Sequence, residues 1–266
     1  MPFARVQQVN LYYELEGQGD ALVLIHGLGS DANTWQLFLP EVEKHYRILR
    51  LENRGAARSS KPDGESSTIV MAEDTAALME TLGIERAHVI GKSLGGMIAQ
   101  HLAARYPEKV QSLVLASTVM KHDPYGEELL QMGRLTAEKA GIFASFRLAF
   151  LLSYSRDYCA RNQSRLAEVE QMMKKMDSEE VLRGYVMQSL ACEKHDSREA
   201  ATRIQAPTLV IVGEDDMITP PEASRDLAKA LPKSELQILP GGHGFWREFS
   251  DKVNPIVRNF LSRHTQ

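Results

Sequence analysis

Short apolar runs punctuate the chain: Ala21–His26, Arg47–Leu51, Ala87–Gly91, Val110–Ala116, Thr208–Gly213 and Glu235–Leu239. Each is rich in Val, Ile and Leu, the pattern of strands buried on both faces. Ahead of them Val6, Val9, Leu11 and Tyr13 alternate imperfectly and predict a starting hairpin. Amphipathic stretches of helical length separate most of the runs. In Val70–Leu82, apolar Met71, Leu78, Met79 and Leu82 interleave with Glu73, Asp74 and Glu80; Leu94–Tyr106 is stopped by Pro107. This alternation predicts an α/β fold with a mainly parallel, doubly wound sheet carrying helices on both faces.

The alternation fails once. From about Lys121 to Ala200 nothing reads as a buried strand, and the patterns are helical, as in Arg165–Met176 and Glu179–Leu190. The reading is a core of residues 1–120 and 201–266 interrupted by a helical insertion over 121–200. At 266 residues the chain is long for one domain, and the insertion accounts for the excess.

Composition narrows the function. Lys and Arg number 31 against 35 Asp and Glu, so there is no basic excess to hold nucleic acid. The longest apolar stretch, Ile142–Tyr154, is interrupted by Arg147 and falls short of a membrane span. The first residues alternate like a strand and lack the apolar centre of a signal peptide, so the expected address is cytoplasmic. Cys159 and Cys192 follow no metal-ligand spacing and read as buried small hydrophobes.

The strongest local signal is Gly91-Lys92-Ser93-Leu94-Gly95-Gly96, set between a strand-like run and a helix-like one. This is G-x-S-x-G in the strand–turn–helix context the motif requires. A serine on so sharp a turn leaves no room for side chains two positions before or after it, and the following helix N-terminus favours developing negative charge. Here the sequence resembles the α/β-hydrolase superfamily, and the resemblance extends over nearly the whole chain.

A serine nucleophile needs a base and an acid to orient it, and the superfamily's chain order is serine, acid, histidine. Beyond the elbow helix stand His122, His195, His243 and His264. His264 lies near a terminus, and His122 and His195 lie in or beside the insertion. His243, in the glycine-rich loop Leu239–Gly244 after the last strand, looks like the family's base. Gly213-Glu214-Asp215-Asp216-Met217-Ile218-Thr219-Pro220 resembles G-x-x-D-x-x-x-P, which selects Asp216 over Asp215. Asp123 is an outside candidate, since some members place the acid one strand earlier.

Two backbone N–H groups should meet the oxyanion. The resemblance assigns them to Leu94 and to Leu28 in the HGxG-like turn His26-Gly27-Leu28-Gly29. His26 precedes Ser93 and reads as a structural residue. Glu52-Asn53-Arg54-Gly55 resembles the D-x-R-G turn with glutamate for aspartate, and Ala57 stands where the pattern has a second glycine. It reads as a loop-fixing element.

The insertion falls where the superfamily carries its cap, the element that shapes the substrate pocket. It holds Met132, Met172, Met173, Met176 and Met187 with Phe143, Phe146, Phe150, Tyr154 and Tyr158. Expected pocket residues are Lys92, Trp35, Met132 and Phe146. A cation at Lys92, beside the nucleophile, would attract a carboxylate substrate.

The resemblance thus implies a serine hydrolase of a small carboxylic ester or lactone, near the esterase and 3-oxoadipate enol-lactonase-like group. No metal or organic cofactor is implied, and no nucleic-acid or membrane partner. Carbon–carbon bond hydrolases of meta-cleavage products usually carry asparagine before the serine and tryptophan after the histidine, where this chain has Lys92 and Gly244. The same scaffold also serves cofactor-free perhydrolases (haloperoxidases) and ligand receptors, and the motifs admit both. Haloalkane dehalogenases need an aspartate where Ser93 stands.

Overall fold

The computed structural model describes residues 2–164, 167–169, 171 and 178–265. Eight strands form one sheet: β1 (Phe3–Val6), β2 (Val9–Glu16), β3 (Asp20–Ile25), β4 (Tyr46–Leu51), β5 (Ala87–Lys92), β6 (Val110–Ala116), β7 (Thr208–Gly213) and β8 (Ser234–Leu239). Their order is β1-β2-β4-β3-β5-β6-β7-β8. The starting hairpin and the β2–β4 pair are antiparallel. All pairs from β4 to β8 are parallel, as a βαβ chain dictates.

Burial on both faces explains why the central strands are continuous apolar runs. Along β3 the side chains alternate between two cores. Val23 and Ile25 join Met71, Leu78, Leu94 and Ile98 from the helices Thr68–Thr81 and Leu94–Arg105. Leu22 and Leu24 face Trp35, Phe38, Val257 and Phe260, the last two from the C-terminal helix Ser250–Ser262. β8 departs from the expectation: Glu235 and Gln237 are exposed between half-buried neighbours. It is an edge strand paired only with β7, so one of its faces meets solvent.

Between β6 and β7 the described residues form helices, Pro124–Ala140, Ile142–Ser153, Arg156–Arg161, Glu179–Glu193 and Arg198–Ala201, and no strand. A single antiparallel bridge, Lys121 to Asp196, ties the two stems of this segment together. Asp123 is spent as the cap of its first helix, accepting from the Gly126 N–H at 2.8 Å. Of the expected helix Arg165–Met176, Arg165, Met172, Met173 and Met176 lie outside the described residues. Cys192 is buried as expected, whereas Cys159 is half-buried; both are free. No described helix is long and apolar enough to cross a membrane.

The sheet delivers the candidate chemistry to one edge. The turns after β3, β5, β7 and β8 carry His26–Gly29, Ser93, Asp216 and His243, all at carboxyl ends of parallel strands. Ligands of open α/β sheets bind there, where successive connections leave toward opposite faces.

Candidate active site

Ser93 sits at φ 55°, ψ −121°, a left-handed conformation that costs a non-glycine residue roughly 1–3 kcal/mol. Close approach holds it there. A Cβ on Gly91 would lie 2.3 Å from the Gly95 carbonyl oxygen, and one on Gly95 would lie 2.0 Å from that of Ile25. The elbow is tied down by the Ser93 N–H donating to the Ala116 carbonyl (2.9 Å) and by the Thr118 hydroxyl donating to the Ser93 carbonyl (2.9 Å). The Ser93 side chain caps nothing on its own helix, so its hydroxyl faces the cavity above the sheet.

His243 lines that same cavity. Its Nδ1 lies 2.9 Å from Oδ2 and 3.1 Å from Oδ1 of Asp216. Asp216 also accepts the backbone N–H of Ile218 (3.0 Å) and of Thr219 (2.9 Å) on Oδ1, and the Thr219 hydroxyl (2.9 Å) on Oδ2. Burial alone would raise this carboxyl's pKa. The charge and hydrogen bond of His243, with the Thr219 N–H, outweigh burial and hold it below the usual carboxylate range. An imidazole so anchored through Nδ1 presents Nε2 as a proton acceptor. Asp215, the competitor in register, is exposed.

The turn after β3 passes directly against the nucleophile: a Cβ on Gly27 would meet Ser93 Cβ at 3.2 Å. Among the described residues the Leu28 N–H has no hydrogen-bond acceptor, while its neighbour Gly29 donates to Gln188 Oε1 (3.2 Å). Leu94 opens its helix, where the first N–H groups have no partner within the helix. His26 is a scaffold. It is fully buried, its Nδ1 donates to the Gly27 carbonyl (2.8 Å), and its Nε2 accepts the Asn53 N–H (3.1 Å). Burial lowers its pKa and keeps it neutral, as that bonding requires.

The Glu52 turn fixes its loop in the expected way. Fully buried Glu52 accepts the Arg58 N–H (2.7 Å) and Nε (3.0 Å), and Arg54 grips Asp74 through Nε (2.5 Å) and Nη2 (2.7 Å). Ala57 takes φ 34° where the pattern has glycine, so the turn keeps its shape at the cost of strain.

The cavity measures about 1120 Å³ and runs from Ser93 beneath the helical segment. Phe146 and Lys92 line it, as do Phe143, Phe150 and Tyr154. Trp35 does not; it is buried against the sheet and borders a smaller side cavity. Met132 is corrected: it is 48% exposed, on the solvent side of its helix, because amphipathic spacing alone does not say which neighbour a helix faces. His122 lines the cavity, but burial lowers its pKa to about 4. His195 bonds Thr68 through Nδ1 (2.9 Å), and His264 packs on Phe260.

Three further residues near the site are not among those the sequence motifs point to. Thr219 braces the Asp216–His243 pair, and its place three residues after the acid is a local cue. Gln188 bonds both Gly29 and the Arg54 carbonyl (2.8 Å) across 159 and 134 residues, which no local pattern signals. Arg247 borders the side cavity four residues beyond His243.

The sequence profile described as the alpha/beta hydrolase fold matches residues 20–245. A protein named as a carbamate hydrolase, RutD, from Caulobacter sp. (strain K31) is 31% identical over 95% of this chain and 96% of its own. The enol-lactonase from Burkholderia xenovorans LB400 superposes with a TM-score of 0.90 at 28% identity, covering 98% of this chain and 100% of that one. A thermophilic esterase from Thermogutta terrifontis gives 0.82 at 25% identity over 97% and 95%.

Proposed function

The chain belongs to the α/β-hydrolase fold family and is a hydrolase enzyme, and from that premise we propose that it is a serine hydrolase cleaving a small carboxylic ester or lactone. The observation that carries this reading is the Asp216–His243 pair at 2.9 Å, with His243 and Ser93 lining one cavity.

His243 Nε2 takes the proton of the Ser93 hydroxyl as its oxygen attacks the substrate carbonyl. The tetrahedral oxyanion accepts the N–H groups of Leu28 and Leu94. The imidazolium, stabilised by Asp216, returns the proton to the departing alkoxide, leaving an acyl-enzyme on Ser93. A water deprotonated by His243 then adds to the acyl carbon, and the acid leaves as the Ser93 hydroxyl is restored. For a lactone the alkoxide, once protonated, remains part of the acyl chain through both steps, and a single hydroxy acid leaves. The helices of 121–200 act as the cap, excluding water and shaping the pocket.

The relative named as a carbamate hydrolase makes carbamates a second class for the same machinery, since a carbamate carbonyl presents the same attack geometry. A fluorophosphonate probe followed by peptide mass mapping tests the reading. Label on Ser93, lost in Ser93→Ala with turnover of 4-nitrophenyl acetate, is expected. Full turnover in Ser93→Ala overturns it. A panel of esters, lactones and carbamates then ranks the substrates.

A further inference from the structure

The ionisable lining of the active-site cavity is one-sided. Lys92, Arg147 and Arg156 border it, and among the described residues no Asp or Glu does. Against the same wall lies a side cavity of about 170 Å³, sharing Ser30, Lys92 and Tyr154 with the main one. Arg247, Trp35 and Trp246 border it, again with no carboxylate among its described lining residues.

Elsewhere Arg50 pairs with Glu14, Arg54 with Asp74 and Arg134 with Glu193, while half-buried Arg47 donates to the Leu82 carbonyl. Lys92 and Arg247, both half-buried, make no ion pair and no side-chain hydrogen bond with the described residues. Trp35 is 3% exposed, yet its indole N–H has no acceptor among the described residues. The adjoining Trp246, edge-on to it at 5.5 Å, donates instead to Asn254 (2.9 Å). A buried donor without an acceptor is costly, and such groups are rare unless something outside the fold satisfies them.

Ammonium, guanidinium and indole N–H are all donors without an acceptor. Two of them are cations within electrostatic reach of each other. The group that answers all three is a compact anion with several lone pairs. The aromatic walls and the small volume suit a carboxylate on a short apolar chain rather than a bulkier polyanion.

We propose that this side cavity is a carboxylate subsite: the substrate cleaved at Ser93 carries a free carboxylate, held by Lys92, Arg247 and the Trp35 indole N–H. The proposal rests on the serine-hydrolase reading and adds the substrate's charge to it. Because Lys92 directly precedes the nucleophile, the anion is anchored close to the bond that breaks. Burial, aided by Arg247 and opposed by Asp216, lowers the Lys92 pKa to about 8. A bound carboxylate relieves that stress. Asp216, the anion acting on Lys92, is committed to His243.

Two ester pairs test this. The first is 4-nitrophenyl hexanoate and the 4-nitrophenyl monoester of adipic acid, which differ by a terminal methyl against a carboxylate. The second is phenyl acetate and 4-acetoxybenzoate, which put the charge on the leaving group. In at least one pair the protein should favour the anionic ester in kcat/KM by roughly 10- to 100-fold, mainly through KM, as expected for hydrogen bonds to a charged group. That ratio should fall about tenfold in Lys92→Gln and in Arg247→Gln, and severalfold in Trp35→Phe, which keeps the ring and loses the donor. Melting temperatures confirm that each variant is folded.

Equal ratios in the parent protein and all three variants, for both pairs, overturn the proposal while phosphonate labelling of Ser93 leaves the hydrolase reading standing. If Ser93 takes no label and no ester is cleaved, calorimetric titration with adipate decides. Binding that is lost in Arg247→Gln supports the carboxylate site, and no binding to the parent protein overturns it.

Discussion

The carbonyl oxygen of Ser153 accepts the backbone N–H of Gly244 at 2.8 Å, pinning the residue after His243 to the last residue of the helix Ile142–Ser153. The expected base and the pocket wall are therefore one mechanical unit. The ring of Tyr154 fills the space where Gly244 would carry a side chain: a Cβ there would lie 2.2 Å from Tyr154 Cε1. Tyr154 in turn stacks on Tyr158 at 4.5 Å.

Gly244→Ala should displace that ring and drag the His243 loop with it. The expected outcome is a fall in kcat/KM on a 4-nitrophenyl ester of about 10²-fold, the scale of a small misplacement at a reacting centre. Gly244→Ala with Tyr154→Ala should lose less than the sum of the two single changes, read from a double-mutant cycle.

Asp215 and Asp216 are adjacent in sequence and opposite in environment. Asp216→Asn should reduce kcat by about 10⁴-fold with little change in KM, because an amide cannot hold the imidazole in the required tautomer. Asp215→Asn, on an exposed carboxylate, should stay within about twofold of the parent; surface substitutions are usually near neutral. Steady-state kinetics on the two variants separates them.

Five buried histidines make the fold acid-sensitive, His26 among them. Burial, foremost among the causes, lowers His88, His101 and His122 to about 4 and His195 to about 3. Unfolded, each titrates near 6.5, so between pH 6.5 and 4 the unfolded state binds more protons than the native one. Their stabilising contribution is complete above pH 6.5 and is lost as pH falls through that window. Urea unfolding at fixed pH steps should show the midpoint dropping steeply below pH 6.5; a flat profile to pH 4.5 would contradict the burial assignment.

Ala57 at φ 34° is strained for a residue with a Cβ. Ala57→Gly should stabilise the protein by up to about 1 kcal/mol, the relief being partly offset by the freer unfolded chain. A rise in melting temperature of about 2–4 °C is the corresponding readout.

Legibility in the sequence followed burial. β3, β5, β6 and β7 were readable because strands covered on both faces must be apolar throughout, whereas β8 belongs to an edge and is half polar. Ser93, Asp216 and His243 stood out because turns at strand ends need particular residues at fixed spacing. Gln188 and Met132 show the limit. One acts across 159 residues of chain, and the other sits on a helix whose pattern gives a buried stripe but not its partner. Arg247 was hidden because a single charge carries no period; its place on the side cavity emerges only in the fold.

The bridge between Lys121 and Asp196 means that the whole helical segment departs from and returns to almost one point on the sheet. Closing so long a loop costs only logarithmically more as it grows. Exchanging the segment for a relative's should therefore redirect substrate choice with the elbow and both faces of the sheet still in place, provided the replacement keeps an acceptor for the Gly244 N–H where Ser153 now supplies one.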